Sequence, residues 1–197
     1  MATFAWPHAW RPRQFEIGMH RATIQSRSPS TQNFHAVDLM GWRWLVSLQM
    51  NDELSDSAGA FEAFFNRLTG GVDDVALWHF NRPAPLGTMR GTPTLAAGAA
   101  QFADTLLIQT TAGATVKAGD MLGVSSHLLQ TAEDATANGS GLLSVRLINR
   151  LRSSVATGAA VVWDKPTARF AVPEDRSRFG HVGGRMLGPA FDLEEVF

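Results

Sequence analysis

The sequence contains no cysteine and no tyrosine, and its only lysines are Lys117 and Lys165. Without cysteine, disulfide frameworks, thiol nucleophiles and zinc–thiolate sites are excluded. Arginine therefore supplies most of the positive charge, and its planar guanidinium forms bidentate pairs that suit protein interfaces. This bias is a weak indication of assembly, because a GC-rich genome would produce the same ratio.

Long runs of charge and of apolar residues are also missing. The formal net charge is -1, with 45% hydrophobic and 18% charged residues, as in a globular protein. We expect neither nucleic acid nor a membrane as partner, because there is no basic patch and no apolar run approaches the ~20 residues of a bilayer-spanning helix. The N-terminus, MATFAWPHAWRPRQF, lacks the apolar segment of a secretion signal.

The first part of the chain combines strands with one helix. FEIGMHRATI alternates as a strand does, and in GWRWLVSLQM the residues Trp42, Trp44, Val46 and Leu48 share one face. The spacing of apolar residues in LSDSAGAFEAFFNRLTGG predicts a helix over about residues 55–69. DDVALWHF is predicted to be a strand that packs against this helix, and RSPSTQN to be a loop.

The second part is almost wholly β in pattern. NRPAPLGTMRGTP is typical of a connector, and short strands separated by glycine-containing turns follow it. We predict a mainly β (α+β) fold: a β-sandwich with one packed helix over 1–82, which 173–197 would complete, a linker over 83–91, and a small β-barrel or sandwich over 92–172.

The stretch DATANGSGLLSV raises the question of a calcium loop. Asp134, Thr136, Asn138 and Gly139 fit the first half of an EF-hand, but Val145 stands where a bidentate glutamate is required. A β-hairpin whose Asn-Gly turn feeds a strand explains the same residues, and we favour the hairpin.

No local pattern indicates catalysis, a cofactor or a metal. Adjacent carboxylates such as Asp73 and Asp74 point to opposite faces of a strand and are poor acid–base partners. There is no GxSxG elbow, P-loop or dinucleotide motif. The histidines form no HxH or HExxH pair; they are His8, His20, His35, His79, His127 and His181. We therefore expect no enzyme, and a hydrolase would need a convergent Asp/His/Ser site.

Tryptophan residues suggest one possible binding surface. Trp42 and Trp44 on one strand face could form a sugar-stacking platform, as in a carbohydrate-binding module, with Trp163 as a further candidate. Burial against the Phe61 and Phe65 helix explains the two strand tryptophans more simply.

Both halves of the chain carry a resemblance. GWRWLVSL, FEAFFNRLTGG and DDVALWHFNRPAPLG resemble siphophage tail proteins. TVKAGDMLGV and TAEDATANGSGLLSVRLINRLRSSVATGAAVVW resemble a β module of phage virion proteins, in which a Lys-x-Gly-Asp step opens a strand. The chain has INRL at Ile148–Leu151, where that module commonly has a proline.

The family that the chain resembles is the distal tail proteins. The resemblance implies a structural protein of the virion, made in the host cytoplasm. It would form a ring, usually hexameric, that joins the tail tube to the baseplate or tail tip. A β-sandwich with a helix builds the ring in that family, and a second β domain projects outward. The implied partners are other copies of the chain, the tube protein and the baseplate hub or tail-tip proteins, and no catalytic residue carries over.

A ring subunit needs segments that reach its neighbour. We take the aromatic N-terminus, with Trp6 and Trp10, and the C-terminal FDLEEVF, with Phe191 and Phe197, as candidate interface residues. On this interpretation, deleting residues 1–12 leaves the subunit folded but prevents assembly.

Overall fold

The structure is a computed structural model that describes residues 2–197, apart from the side chains of Ser55 and Asp56. The chain divides into two compact units. Unit 1 combines the chain up to His20 with Arg43–Leu77 and Arg169–Phe197, and unit 2 combines Arg21–Trp42 with Trp78–Ala168. Each unit is thus assembled from separate stretches of the sequence.

Most residues of a six-stranded sheet belong to unit 1, and the parts of its strands that lie within Arg21–Trp42 belong to unit 2. Its strands in spatial order are β1 (Thr3–Ala5), β5 (Asp74–Trp78), β14 (Thr167–Ala171), β17 (Ala190–Glu195), β3 (Phe34–Gln49) and β2 (Gln14–Arg27). β1 runs parallel to β5, whereas β17 is antiparallel to both β14 and β3. A smaller sheet joins β15 (His181–Val182), β16 (Arg185–Met186) and β4 (Glu53–Leu54).

The helix α1 (Ser55–Leu68) confirms the predicted segment. Its apolar face is buried, with Phe61, Phe65 and Leu68 at most 2% exposed. Phe65 stacks on Phe191 of β17 with ring centroids 3.7 Å apart, which joins the helix to the sheet. Among the residues described, no helix is long and apolar enough to cross a membrane.

The inner half of β3 follows the alternation in its sequence. Trp42, Trp44, Val46 and Leu48 are buried, while Arg43 and Leu45 between them are exposed. The strand therefore presents one face to the core, as predicted, and an outer face of mixed character.

Unit 2 is built from short strands around its own apolar core. The strands are β6 (Thr94–Leu95), β7 (Thr105–Gln109), β8 (Thr115–Val116), β9 (Met121–Val124), β10 (His127–Gln130), β11 (Ala135–Thr136), β12 (Leu142–Arg146) and β13 (Val161–Val162). They form the sheets β10-β9-β13, β11-β8 and β12-β7-β6, and in the described part of the chain these sheets do not close into a barrel. The mainly β fold with one helix is confirmed.

The proposed linker over 83–91 is an integral part of unit 2. The backbone N–H groups of Leu86 and Gly87 donate to the carboxylate of Asp120, and Met89 is fully buried. Gly87 lies so close to Thr115 that an added Cβ would stand 2.1 Å from its carbonyl oxygen. The prolines and glycines here serve close packing, so the linker prediction is wrong.

The Asn-Gly stretch forms a turn that leads into β12. Asn138 Oδ1 accepts from the N–H groups of Ser140 and Leu142, and Gly141 takes a φ of 77°. Asp134 is engaged elsewhere, since it binds Lys117 at 2.6 Å and the Ala118 N–H at 2.9 Å. β12 pairs with β7 and β11 pairs with β8, so the turn does not close a hairpin between neighbouring strands.

Candidate functional site

Three of the four candidate interface residues are packed inside unit 1. Trp6 is 1% and Phe191 8% exposed, and Trp10 is half-buried. The Trp6 ring meets Phe65 edge-on at 6.0 Å, and its indole N–H donates to the Trp10 carbonyl. The N-terminal segment thus covers the aromatic face of α1 and is not a free arm; only Phe197 remains exposed, at 65%.

The proposed sugar platform is also buried. Trp42 and Trp44 are 6% and 4% exposed, and the Arg21 guanidinium lies 3.8 Å from the centroid of the Trp42 ring. Stacking on a sugar requires an open ring face, so these two residues do not form such a platform. Trp163 is half-buried, donates its indole N–H to the Gly91 carbonyl and lies under Arg90.

The structure instead reveals a long two-stranded extension, which we call the arm and define as Arg21–Gly41. It consists of the outer halves of β2 and β3 and the turn between them. Every residue of the β3 half, Phe34–Gly41, is exposed, as are Ile24–Arg27 of β2. β3 changes from wholly exposed residues to alternately buried ones just after Met40, which adopts a φ of 59°.

Both faces of the arm can be assigned by counting from its tip. β2 ends at Arg27 and β3 begins at Phe34, and just beyond them the Ser28 N–H donates to the Asn33 carbonyl at 3.0 Å. Arg27 and Phe34 are therefore cross-strand neighbours on one face. By the same count, Ile24 lies opposite Val37 on the other face, which we call the apolar face.

That apolar face is unusual for a solvent-exposed hairpin. Ile24, Val37 and Leu39 are 54–58% exposed. An isolated two-stranded hairpin is marginally stable in water, and unpaired strand edges are sites for pairing with another chain. The arm has the features of a surface that is covered in an assembly.

A second surface lies on the outer face of the six-stranded sheet in unit 1. An open groove of about 270 Å³ crosses β2, β3 and β17, and we call it the acidic groove. Its acidic side chains are Glu16, Asp192 and Glu194, and its apolar part includes Leu45, which is 37% exposed. Gly18 contributes no side chain and has no atom within 4 Å of the position of an added Cβ, which leaves the groove open.

The carboxylates of the groove are held in place by neighbours. Ser47 donates to Asp192 at 2.6 Å, Gln14 donates to Glu16 at 2.6 Å, and Arg43 lies 3.2 Å from Glu194. Of these three carboxylates, Glu194 alone pairs with an arginine in the described part of the chain, so the groove retains negative charge and is suited to a cationic ligand.

A larger depression of about 680 Å³ lies beside the segment Val172–Arg178. Its charged residues include Glu174, Asp175, Arg176 and Arg178, and Arg176 pairs with Asp175 at 3.5 Å. Both partners of that pair are strongly exposed, so water screens the interaction between them.

The histidines take part in no metal site among the side chains that the structure describes. No group of three or more His, Asp or Glu among those side chains is placed to hold a metal ion. His79 follows β5 and is half-buried; burial, followed by the nearby Arg82, lowers its pKa below the usual 6.5. His181 lies 3.0 Å from Glu62.

One serine–histidine pair was not apparent from the sequence. His127 Nδ1 lies 3.0 Å from the Val124 carbonyl, so Nδ1 carries the proton and Nε2 can accept from Ser153 Oγ at 3.3 Å. This orientation is the one a general base needs. However, Ser153 lines none of the cavities described above, and His127 is buried at the start of β10, so we assign the pair a structural role.

Asp74 is a second polar residue whose role the sequence did not reveal. Its side chain is fully buried at the edge of β5 and pairs with Arg169 of β14, whose pKa it raises. The pair links two strands of unit 1. A charged residue inside a strand is the only signal in the sequence, and it does not identify the partner.

The arm was missed because its parts look ordinary in isolation. RSPSTQN does form the turn, but FHAVDLM was assigned to no element, and its alternation continues β3 outward. Neither models of known protein families nor curated proteins give a match to this chain, so its function has to be argued from its geometry.

Proposed function

We propose that this chain is a structural virion protein of a bacteriophage tail. Several copies form a closed ring between the tail tube and the baseplate or tail tip. The proposal combines the resemblance to distal tail proteins with the exposed apolar arm. Its partners are further copies of the chain, the tube protein and the baseplate hub or tail-tip proteins.

The arm is the observation that carries this proposal. Its strands extend beyond the buried part of the sheet and expose Ile24, Val37 and Leu39. Covering these side chains with a neighbouring subunit removes apolar area from water, which contributes about 25 cal/mol per Å². A ring gives every copy the same neighbour and leaves no arm uncovered.

The two surfaces of the chain suit head-to-tail contact. The arm and the acidic groove are different patches, and contact between unlike patches generates rings when the rotation closes. The groove provides an acceptor surface, whereas the arm provides a projecting one. The net charge of -1 limits repulsion between copies that lie side by side.

The test is the native mass of the full chain over a concentration series, measured by light scattering and supported by negative-stain images. We expect a closed species of defined copy number with a central hole. The double variant V37D/L39D should be a folded monomer, because it places charge on the apolar face. V182D is the matched control, since Val182 is 64% exposed on β15, and it should assemble normally.

A wild-type chain that remains monomeric at the highest soluble concentration would contradict self-assembly into a ring. Assembly that survives V37D/L39D would show that the arm is not the contact. Circular dichroism of each variant separates loss of assembly from loss of folding.

A further inference from the structure

We infer that the tip of the arm in one copy binds the acidic groove of a second copy. This inference rests on the proposed ring and names the surfaces that meet in it. The tip contributes Arg27 and Phe34, and the groove contributes Glu16, Asp192 and Glu194 around Gly18 and Leu45.

The tip is cationic and aromatic on one face. Arg27 and Phe34 are cross-strand neighbours, Phe34 is 57% exposed, and within residues 2–197 neither side chain has a hydrogen-bond, ionic or ring partner. Arginine and aromatic residues are enriched at the centres of protein interfaces, because each combines a large contact area with directional binding. An unpaired arginine beside an exposed phenylalanine is therefore a candidate anchor.

The groove matches this pair in charge and in shape. The groove has three carboxylates on β2 and β17, of which Glu194 pairs with Arg43, while Gln14 donates to Glu16 and Ser47 donates to Asp192. A guanidinium can bind a carboxylate through two parallel hydrogen bonds. The bare backbone at Gly18 and the exposed side chain of Leu45 leave an apolar place for the phenylalanine ring.

A second copy is the occupant that these features favour. The groove requires a projecting cationic and apolar element, and the arm tip is such an element on the same chain. In a head-to-tail ring every copy gives one tip and receives one, so no groove stays empty. Arg27 and Phe34 lie on the face of the arm opposite the apolar face, so the two contacts engage different faces of the same arm.

The absence of cysteine allows a direct test by disulfide trapping in the full-length chain. S30C places a thiol at the exposed tip, and S47C places one in the groove wall. S140C, in an exposed turn of unit 2, is the matched control. Each protein is purified reduced, mixed in pairs and oxidised gently. We expect the S30C–S47C heterodimer at a yield at least about tenfold above that of S30C–S140C, since association raises the local concentration of the thiols.

Other crosslinks would overturn the inference. Equal yields for the S47C and S140C mixtures would show that the tip does not reach the groove. Predominant S30C–S30C dimers would indicate that arms pair with arms. A double variant S30C/S47C that closes its disulfide within one chain would show that the tip serves its own subunit.

Charge reversal tests the chemistry of the contact separately. R27E should lower the S30C–S47C trapping yield by at least about tenfold, because it places like charges together. E16K in the groove partner should restore the yield with R27E. The control is R146E, which makes the same change of charge at an exposed arginine on β12. If R27E and R146E have equal effects, the tip is not recognised by its charge.

The copy number separates this inference from the proposed ring. In the double variant S30C/S47C, tip-to-groove contact around a ring gives a covalent ladder that ends at the ring size. A ladder that ends at two copies would retain the tip-to-groove contact but contradict the ring. A ring that assembles without tip-to-groove crosslinks would retain the proposed function and overturn the inference.

Discussion

The N-terminal segment and the arm both carry large apolar side chains, but these are buried in the first and exposed in the second. Trp6 and Trp10 pack on α1, whereas Ile24, Val37 and Leu39 remain in solvent. The difference lies in what each segment meets. The helix presents Phe61, Phe64 and Phe65 to the tryptophans, while the arm extends beyond its own core. The presence of large apolar side chains in the sequence therefore does not by itself distinguish a buried segment from an exposed one.

Deleting the N-terminal segment and deleting the arm should differ most in their effect on the free energy of unfolding. Removal of residues 2–12 takes away β1 and Trp6, and loss of a buried tryptophan alone costs about 3–5 kcal/mol, so we expect an unfolded or aggregated chain. Replacing residues 24–37 with Asn-Gly, which joins Thr23 to the opposite residue Asp38, should change stability by less than about 1 kcal/mol. Urea denaturation followed by circular dichroism measures both. A stable, cooperative fold after the N-terminal deletion would mean that residues 2–12 are not needed for folding and would support their role as a segment that contacts a neighbouring subunit.

A finer contrast runs along β3 itself. Trp44 is 4% exposed in the inner half and Leu39 is 54% exposed in the arm. We expect W44A to lower the free energy of unfolding by about 3–5 kcal/mol, and L39A to change it by no more than about 0.5 kcal/mol. Denaturation is measured at a concentration low enough to keep the chain monomeric. Similar losses for both variants would mean that the arm is packed in the free subunit.

The half-buried His79 should make the stability of the fold depend on pH. Because the pKa of His79 is lowered in the folded state, the unfolded chain binds a proton at higher pH than the folded chain does. Stability should therefore fall as the pH drops through about 6.5. H79Q should reduce this fall. The measurement is the urea midpoint between about pH 8 and pH 5. An unchanged slope in H79Q would contradict the assignment.

The smallest effect should come from the exposed outer face of β3. Arg43 and Glu194 form an ion pair in which each side chain is 44% exposed. Such pairs contribute no more than about 1 kcal/mol, and salt screens them. R43A should therefore shift the unfolding midpoint only slightly, and less in high salt. A large loss would mean that the outer face is structurally coupled to the core.

Elements with a strong local pattern were predictable. The spacing of Phe61, Phe65 and Leu68 identified α1, and the alternation of Trp42 and Trp44 identified the inner half of β3. In both cases the spacing of apolar residues along the chain, about 3.6 in the helix and two in the strand, places them on a single buried face. The mainly β character of the second half followed from its short alternating runs for the same reason.

What could not be predicted depends on partners far away in the sequence. Trp6 is buried because α1 lies beside it, and nothing near Trp6 reveals this. Leu86 and Gly87 are held by Asp120, so a segment rich in proline and glycine resembled a linker. The acidic groove combines three strands, and its residues become a site only once the sheet has formed.

The position of β17 has a consequence for the order of events during synthesis. β2 and β3 are translated early, but β17, which pairs with β3 through Phe191↔Leu48 and Leu193↔Val46, leaves the ribosome far later. A nascent chain therefore displays its arm well before it has Asp192 and Glu194 to complete a groove. On the proposed contact, a growing chain can donate a tip to finished subunits but cannot yet receive one, which gives assembly on the polysome a direction.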